Sequence, residues 1–270
     1  MIRASASFLL LLAPAALLSA QGTAALYTPG AHRYGFTSVV KREQEHLGTK
    51  QSLEITTVQQ VSLELARKTR DTLTLVVTLD SSSSSASNGA DLPNLNGLKG
   101  VGIQGTMSPA GKVYAFAPKT ALDDELVKQI QTGMSRMLPV FPKGVAVGTA
   151  WVDTNVTAVN NEGNDLRTTT IVTSTILGDT TYDGQAAIRV QRKFAQKMSG
   201  KGAQLGETMQ FDGAGDGSGM YYVSRAGVFL GSTETTSSSM TLSLQPSGLT
   251  IPVKQTVTST VQRLPARPPR

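Results

Sequence analysis

The chain has 270 residues, enough for one large β domain or two smaller ones. Charged residues make up only 16%, against roughly a quarter in ordinary soluble domains, and the formal net charge of +6 is too small to demand nucleic acid or another anionic partner. There is no cysteine, so no disulfide, thiolate metal site or lipid-modified cysteine is expected.

Residues 1–20 read as an export signal. Arg3 gives the positive start, Phe8 to Leu18 the apolar stretch, and Ser19-Ala20-Gln21 a small-residue cleavage site after Ala20. The apolar run holds 11 residues and contains Pro14, whereas a spanning helix needs roughly 20. The expected location is therefore periplasmic or secreted, with at most peripheral membrane contact. Removing this segment takes away only Arg3 and leaves 24 basic against 19 acidic residues, a charge of +5.

Strand patterns follow. In a first β half over 30–120, Leu53, Ile55, Val61, Leu63 and Leu65 share one parity, and Leu73, Leu75, Val77 and Leu79 repeat it. Alternation of this kind marks a strand with one face buried. Residues 81–100 open on five serines and continue through Asn88-Gly89 and Pro93, which reads as a polar loop.

Residues 121–138 read as a covering helix, with Leu122, Leu126, Ile130, Met134 and Met137 as its apolar stripe. Thr120 and Asp123 suit its N-cap, acidic residues 123–125 its positive end, and Pro139 its stop. A second β half spans 145–264. It includes Ala186, Ile188, Val190 and Phe194, then Met240, Leu242 and Leu244, then the clean alternation of 249–262. Turns are expected at Asn161–Asn164, Ser199–Gly202 and Pro246–Gly248, and the glycine-rich run from Asp212 reads as a hairpin or bulge. The Pro-rich tail 265–270 reads as disordered.

The two halves echo each other. Ser108-Pro109-Ala110-Gly111-Lys112-Val113 matches Ser224-Arg225-Ala226-Gly227-Val228-Phe229, and each follows a Val/Ile/Leu-rich strand. The fold expected is mainly β and antiparallel, with two curved half-sheets, a duplication, around one amphipathic helix.

Chemistry-bearing patterns are sparse. His32 and His46 have no third ligand at metal spacing. Gly215-Asp216-Gly217-Ser218-Gly219 has neither the order nor the context of a nucleophile loop and leads into a strand, not a phosphate-binding helix. The run from Asp212 offers too few oxygens for calcium. The basic stretch Arg189, Arg192, Lys193, Lys197 and Lys201 has Phe194 as its only aromatic, so no stacking platform for nucleic acid is expected. Asn155-Val156-Thr157 is a glycosylation sequon, of consequence only in a pathway that glycosylates. Asp153, Asp179, Asp183 and Glu207 are merely available to an active site. Neither enzymatic activity nor a cofactor is expected.

The passage Met137-Leu138-Pro139-Val140-Phe141-Pro142, followed by Val147-Gly148-Thr149-Ala150-Trp151, resembles a family of exported bacterial proteins of unknown function that carry a similar Leu-Pro … Pro … Val-Gly-x-x-Trp passage. The likeness spans roughly 30–264. The layout also resembles, more loosely, the half-barrels of periplasmic lipoprotein carriers, which hold acyl chains between a curved sheet and covering helices. That resemblance implies a hydrophobic small molecule as partner, in a groove lined by Leu122, Leu126, Ile130, Met134 and Met137. The alternative is a structural or interaction module that contacts another envelope protein.

Overall fold

The computed structural model describes residues 26–46, 48–89, 92, 99–118, 124–161, 164–204 and 207–266. The expected export signal, most of the tail, the helix cap at Thr120 and Asp123, and Leu122 lie outside the described residues.

Among the described residues there are eleven strands and one helix. The first five strands are β1 (Gly30–His46), β2 (Thr49–Arg67), β3 (Leu73–Ala86), β4 (Gly102–Met107) and β5 (Val113–Pro118). Helix α1 (Asp124–Met137) follows. Then come β6 (Ala150–Asn161), β7 (Asn164–Tyr182), β8 (Gln185–Gln204), β9 (Glu207–Ser224), β10 (Phe229–Gln245) and β11 (Thr250–Leu264). All strands lie in one antiparallel sheet, ordered β5-β4-β3-β2-β1-β11-β10-β9-β8-β7-β6. The first expected half, 30–120, holds the meander β1–β5, and the second, 145–264, holds the meander β6–β11. They join in one continuous sheet because β11 pairs with β1 on one side and β10 on the other. The sheet is open, with β5 and β6 as its edges, and α1 lies on the connection between them.

Period-two patterning puts one apolar face inward. Tyr34, Val61, Leu63, Leu65, Leu73, Leu75 and Met107 come from the first meander, and Val172, Ile176, Val190, Phe194, Tyr221, Val223 and Phe229 from the second. The chain beyond α1 completes this core: Leu138 and Phe141 are fully buried, and Val145 joins them. Pro139 cannot continue the helix, and its carbonyl accepts from the Tyr27 hydroxyl at 3.1 Å. The Phe141 amide donates to the Ala110 carbonyl at 2.7 Å, and the Gly148 amide to the Ile176 carbonyl at 2.8 Å. This segment therefore strings the β4–β5 turn to β7 across the core.

The sheet is tightly rolled at this end. Tyr27 N donates to the Pro109 carbonyl at 2.7 Å, and its neighbour Thr28 N to the Gly227 carbonyl at 3.2 Å. Those carbonyls belong to turns whose nearer strands, β4 and β10, are five steps apart in the sheet. At about 4.8 Å per step, a flat sheet would hold them about 24 Å apart. The two turns are built alike. The Ser108 amide donates to the Lys112 carbonyl and the Ser224 amide to the Val228 carbonyl. Each serine Oγ accepts from the same later amide, at 3.1 and 3.0 Å. Gly111 and Gly227 both have positive φ.

Three expectations are corrected. Ser81–Ser85 belong to β3, where they pair with β2; Thr57 and Ser84 share a hydroxyl hydrogen bond of 3.0 Å, and Gln59 donates to Ser82. Ser199–Gly202 are strand residues of β8, held by β7 and β9 on either side. The glycine-rich run from Asp212 is neither hairpin nor bulge but the middle of β9. Its glycines fall on one face, where a Cβ at Gly217 would stand 2.5 Å from the Thr235 carbonyl oxygen. The period-two glycines let β10 lean over β9. The turn expected at Pro246–Gly248 is present, with the Gly248 amide donating to Leu244 at 2.9 Å.

A candidate binding site beneath the helix

Registry assembles a charged cluster inside the core face. Arg192 of β8 stands opposite Gly219 of β9 and Ser174 of β7, and Phe194 stands opposite Gly217 and Val172. Small neighbours leave room for both side chains. The Arg192 guanidinium lies 4.9 Å from the Tyr221 ring centre and 5.5 Å from that of Phe194, geometry that suits a cation against a π face. Its Nη1 donates to the Arg136 carbonyl at the end of α1. Arg136 forms an ion pair with Glu234 of β10, and the Tyr221 hydroxyl donates to the other Glu234 oxygen. Burial raises the Tyr221 pKa, the positive charge of Arg192 opposes this, and Glu234 adds to the rise. The phenol therefore stays protonated and keeps donating. Both Glu234 oxygens are thus engaged, and two guanidiniums face one carboxylate.

Beside this cluster is a cavity of about 220 Å³. Thr132, Ser135 and Arg136 of α1 form one side; Asn155 and Thr157 of β6, Thr168 and Thr170 of β7, and Arg192 and Gln196 of β8 form the other. Val172 and Phe194 supply its apolar wall. Gln196 donates to Thr170 at 3.2 Å, which fixes one donor-acceptor pair in the wall. At the opposite edge, Gln131 of α1 donates to the Tyr114 carbonyl of β5 at 3.1 Å. Larger hollows of about 480 and 450 Å³ lie on the face opposite the core, lined by Lys41, Glu43, Asp216 and Lys254 among others. They are open depressions of mixed charge.

The residues expected to line an apolar groove are placed as follows. Met134 and Met137 are buried in the core, and Ile130 packs against it. Leu126 is in α1, its side chain outside what is described, and Leu122 lies before the described helix. The half-buried apolar surface of the core-bearing face lies farther along the strands. There Val40 pairs with Ile55 and Val257, Met240 lies next to Val253, and Leu242 lies between Ile251 and Phe211.

The arginine cluster escaped sequence reading, although one signal pointed to it. Arg189, Lys193, Lys197 and Lys201 share the outward parity of β8, whereas Arg192 shares the inward parity of Val190 and Phe194. A charge on the apolar parity of a strand marks a built polar site.

No family model matches the chain, and no curated protein matches it. Among solved structures it is similar to Pseudomonas aeruginosa OccK2 (OpdF), at 6% identity and TM-score 0.30, covering 87% of this chain and 98% of that one. It is also similar to a Bacteroides fragilis protein described as exported, with a YmcC-like fold, at 9% identity and TM-score 0.29, covering 89% and 100%. A third is OmpT of Vibrio cholerae with loop L8 deleted, an outer membrane protein, at 8% identity and TM-score 0.21, covering 87% and 99%. Similarity at this level carries no argument about function. Among the described residues no helix is long and apolar enough to cross a membrane.

Proposed function

We propose that the protein is an exported, non-catalytic binding module of the bacterial cell envelope that holds an apolar or amphiphilic small molecule against the core-bearing face of its open sheet. The observation that carries this reading is the band of half-buried Val, Ile, Leu, Met and Phe side chains on the same face as the core, farther along the strands from Leu138 and Phe141. The signal-like residues 1–20 support export. Native mass spectrometry and solvent extraction of protein purified from its own envelope test the reading. An apolar species is expected to co-purify, and stripped protein is expected to take up a fluorescent fatty-acid probe saturably. Uptake is expected to fall in Met240→Glu. Protein that carries nothing and takes up nothing ends this reading.

A second reading is protein contact. The edge strand β6 and its neighbour expose Val152 and Val156, at 61% and 50%, beside Ile171 on the outer face, and an uncovered edge is a ready template for another chain. Under that reading, Val152→Lys with Ile171→Lys abolishes a stoichiometric envelope complex and leaves any extracted lipid unchanged.

A further inference from the structure

We propose that the cavity between α1 and strands β6–β8 binds a small oxyanion, a phosphate or carboxylate on a hydroxylated headgroup, through Arg192 and Arg136. The argument begins with charge. Arg192 is 5% exposed, its Nε has no hydrogen-bond partner, and its Nη1 is held by a neutral carbonyl. Among the described residues no carboxylate lies within ion-pair distance of it. An arginine cannot shed its proton to escape burial, and an uncompensated buried charge is unfavourable until an anion pairs with it. Glu234 does not fill that role, because one of its oxygens is paired with Arg136 and the other accepts from Tyr221.

The cavity supplies the rest of such a site. Both arginines line it, and its described lining contains no carboxylate. Thr132, Ser135, Asn155 and Thr168 offer hydroxyl and amide groups around the charge. Asp153 lies on the same face opposite Val172, but it is exposed and outside the lining. A volume of about 220 Å³ corresponds to about seven waters at roughly 30 Å³ each. That accommodates a phosphomonoester headgroup, and the lining shares no residue with the apolar band around Val40, Met240 and Leu242, so the inference does not rest on the apolar-ligand reading. Guanidinium forks match phosphate and carboxylate oxygens.

Calorimetry and thermal-shift measurements on the full chain test the proposal, with inorganic phosphate, glycerol 3-phosphate, and vesicles of phosphatidylglycerol or phosphatidylcholine as probes. Wild-type protein is expected to bind both soluble anions saturably. Binding is expected to weaken at least tenfold in Arg192→Met and in Arg136→Gln, and to be unchanged in Lys193→Gln on the outer face. Because Arg192→Met removes an unpaired buried charge and keeps an apolar chain, its ligand-free Tm is expected to hold level or rise, a result that a purely structural arginine would not give. If the anion comes on a lipid, phosphatidylglycerol vesicles compete with glycerol 3-phosphate and phosphatidylcholine vesicles do not. If it comes free, only the soluble probes bind. Wild-type protein that binds none of the anionic probes overturns the proposal, as does undiminished binding in a folded Arg192→Met protein. Loss of an apolar ligand with anion binding intact would count against the proposed function alone.

Discussion

The two meanders share a plan and divide the work. In β1–β5, the outer strands β4 and β5 have six residues each, and apart from Tyr34 the fully buried side chains are apolar and carry neither ring nor charge, Leu73, Leu75 and Met107 among them. In β6–β10 the strands run from 12 to 20 residues, and the same face carries Arg192, Glu234, Tyr221 and a row of glycines. The first half is a solid wall, tied to the segment after α1 by the Phe141 amide and the Ala110 carbonyl. The second is longer, looser in side-chain volume and polar at its middle, which is where a cavity can persist. Their turns match, with the same serine and glycine at the same places and the same hydrogen bonds.

The comparison is broken hardest in the wall. Leu75→Ala removes a fully buried side chain and is expected to cost about 3–4 kcal/mol in urea melts, the range for cavities that cannot collapse. The equivalence of the turns is tested next. A Cβ at Gly111 would stand 2.8 Å from a Tyr27 ring carbon and collide with the Pro139 carbonyl, and one at Gly227 would collide with the Leu26 carbonyl. Each alanine substitution also forces positive φ on a residue with a Cβ. Gly111→Ala and Gly227→Ala are therefore each expected to lose about 2–3 kcal/mol. A cost at one position and none at the other would dissolve the correspondence.

A smaller effect is expected where the halves are pinned together. The Tyr34 hydroxyl of β1 donates to the Phe229 carbonyl of β10 at 3.0 Å, and burial keeps the phenol protonated by raising its pKa. Tyr34→Phe leaves that carbonyl without its donor, at an expected cost of about 1 kcal/mol read from the urea midpoint. The smallest effect belongs to His32, whose pKa is lowered by burial and then by Arg263. The folded state resists the proton that the unfolded chain accepts, so its contribution is intact above the ordinary histidine pKa of about 6.5 and is lost as pH falls below it. Melts at pH 7.5 and 5.5 are expected to differ less in His32→Asn than in wild type.

Strands with hydrophobic alternation were legible in the sequence, β2, β8 and β11 most plainly, because burial of one face leaves a period of two. So were the helix, whose stripe ends in Met134 and Met137, and the paired turns, whose Ser-x-Ala-Gly pattern carries its own hydrogen bonds. The passage after the helix stood out for good reason, since Leu138 and Phe141 fill the centre and Trp151 packs near Phe141. The serine and glycine strands were misread because their pairing comes from neighbours: a run such as Ser81–Ser85 has no burial signature until β2 lies beside it. The site was half legible. Parity singles out Arg192, but nothing local says that Arg136, 56 residues earlier, meets it, or that Glu234, 98 residues after Arg136, pairs with Arg136.

The pairing of β1 with β11 also sets a timetable. Arg33 is aligned with Leu264 and Tyr34 with Arg263, so β1 lacks one neighbour until β11 is available. Closing so long a loop before its contacts can form is slow. The β1–β11 pairing is therefore expected to form after the local hairpins of each meander, and only then can Tyr34 reach the Phe229 carbonyl.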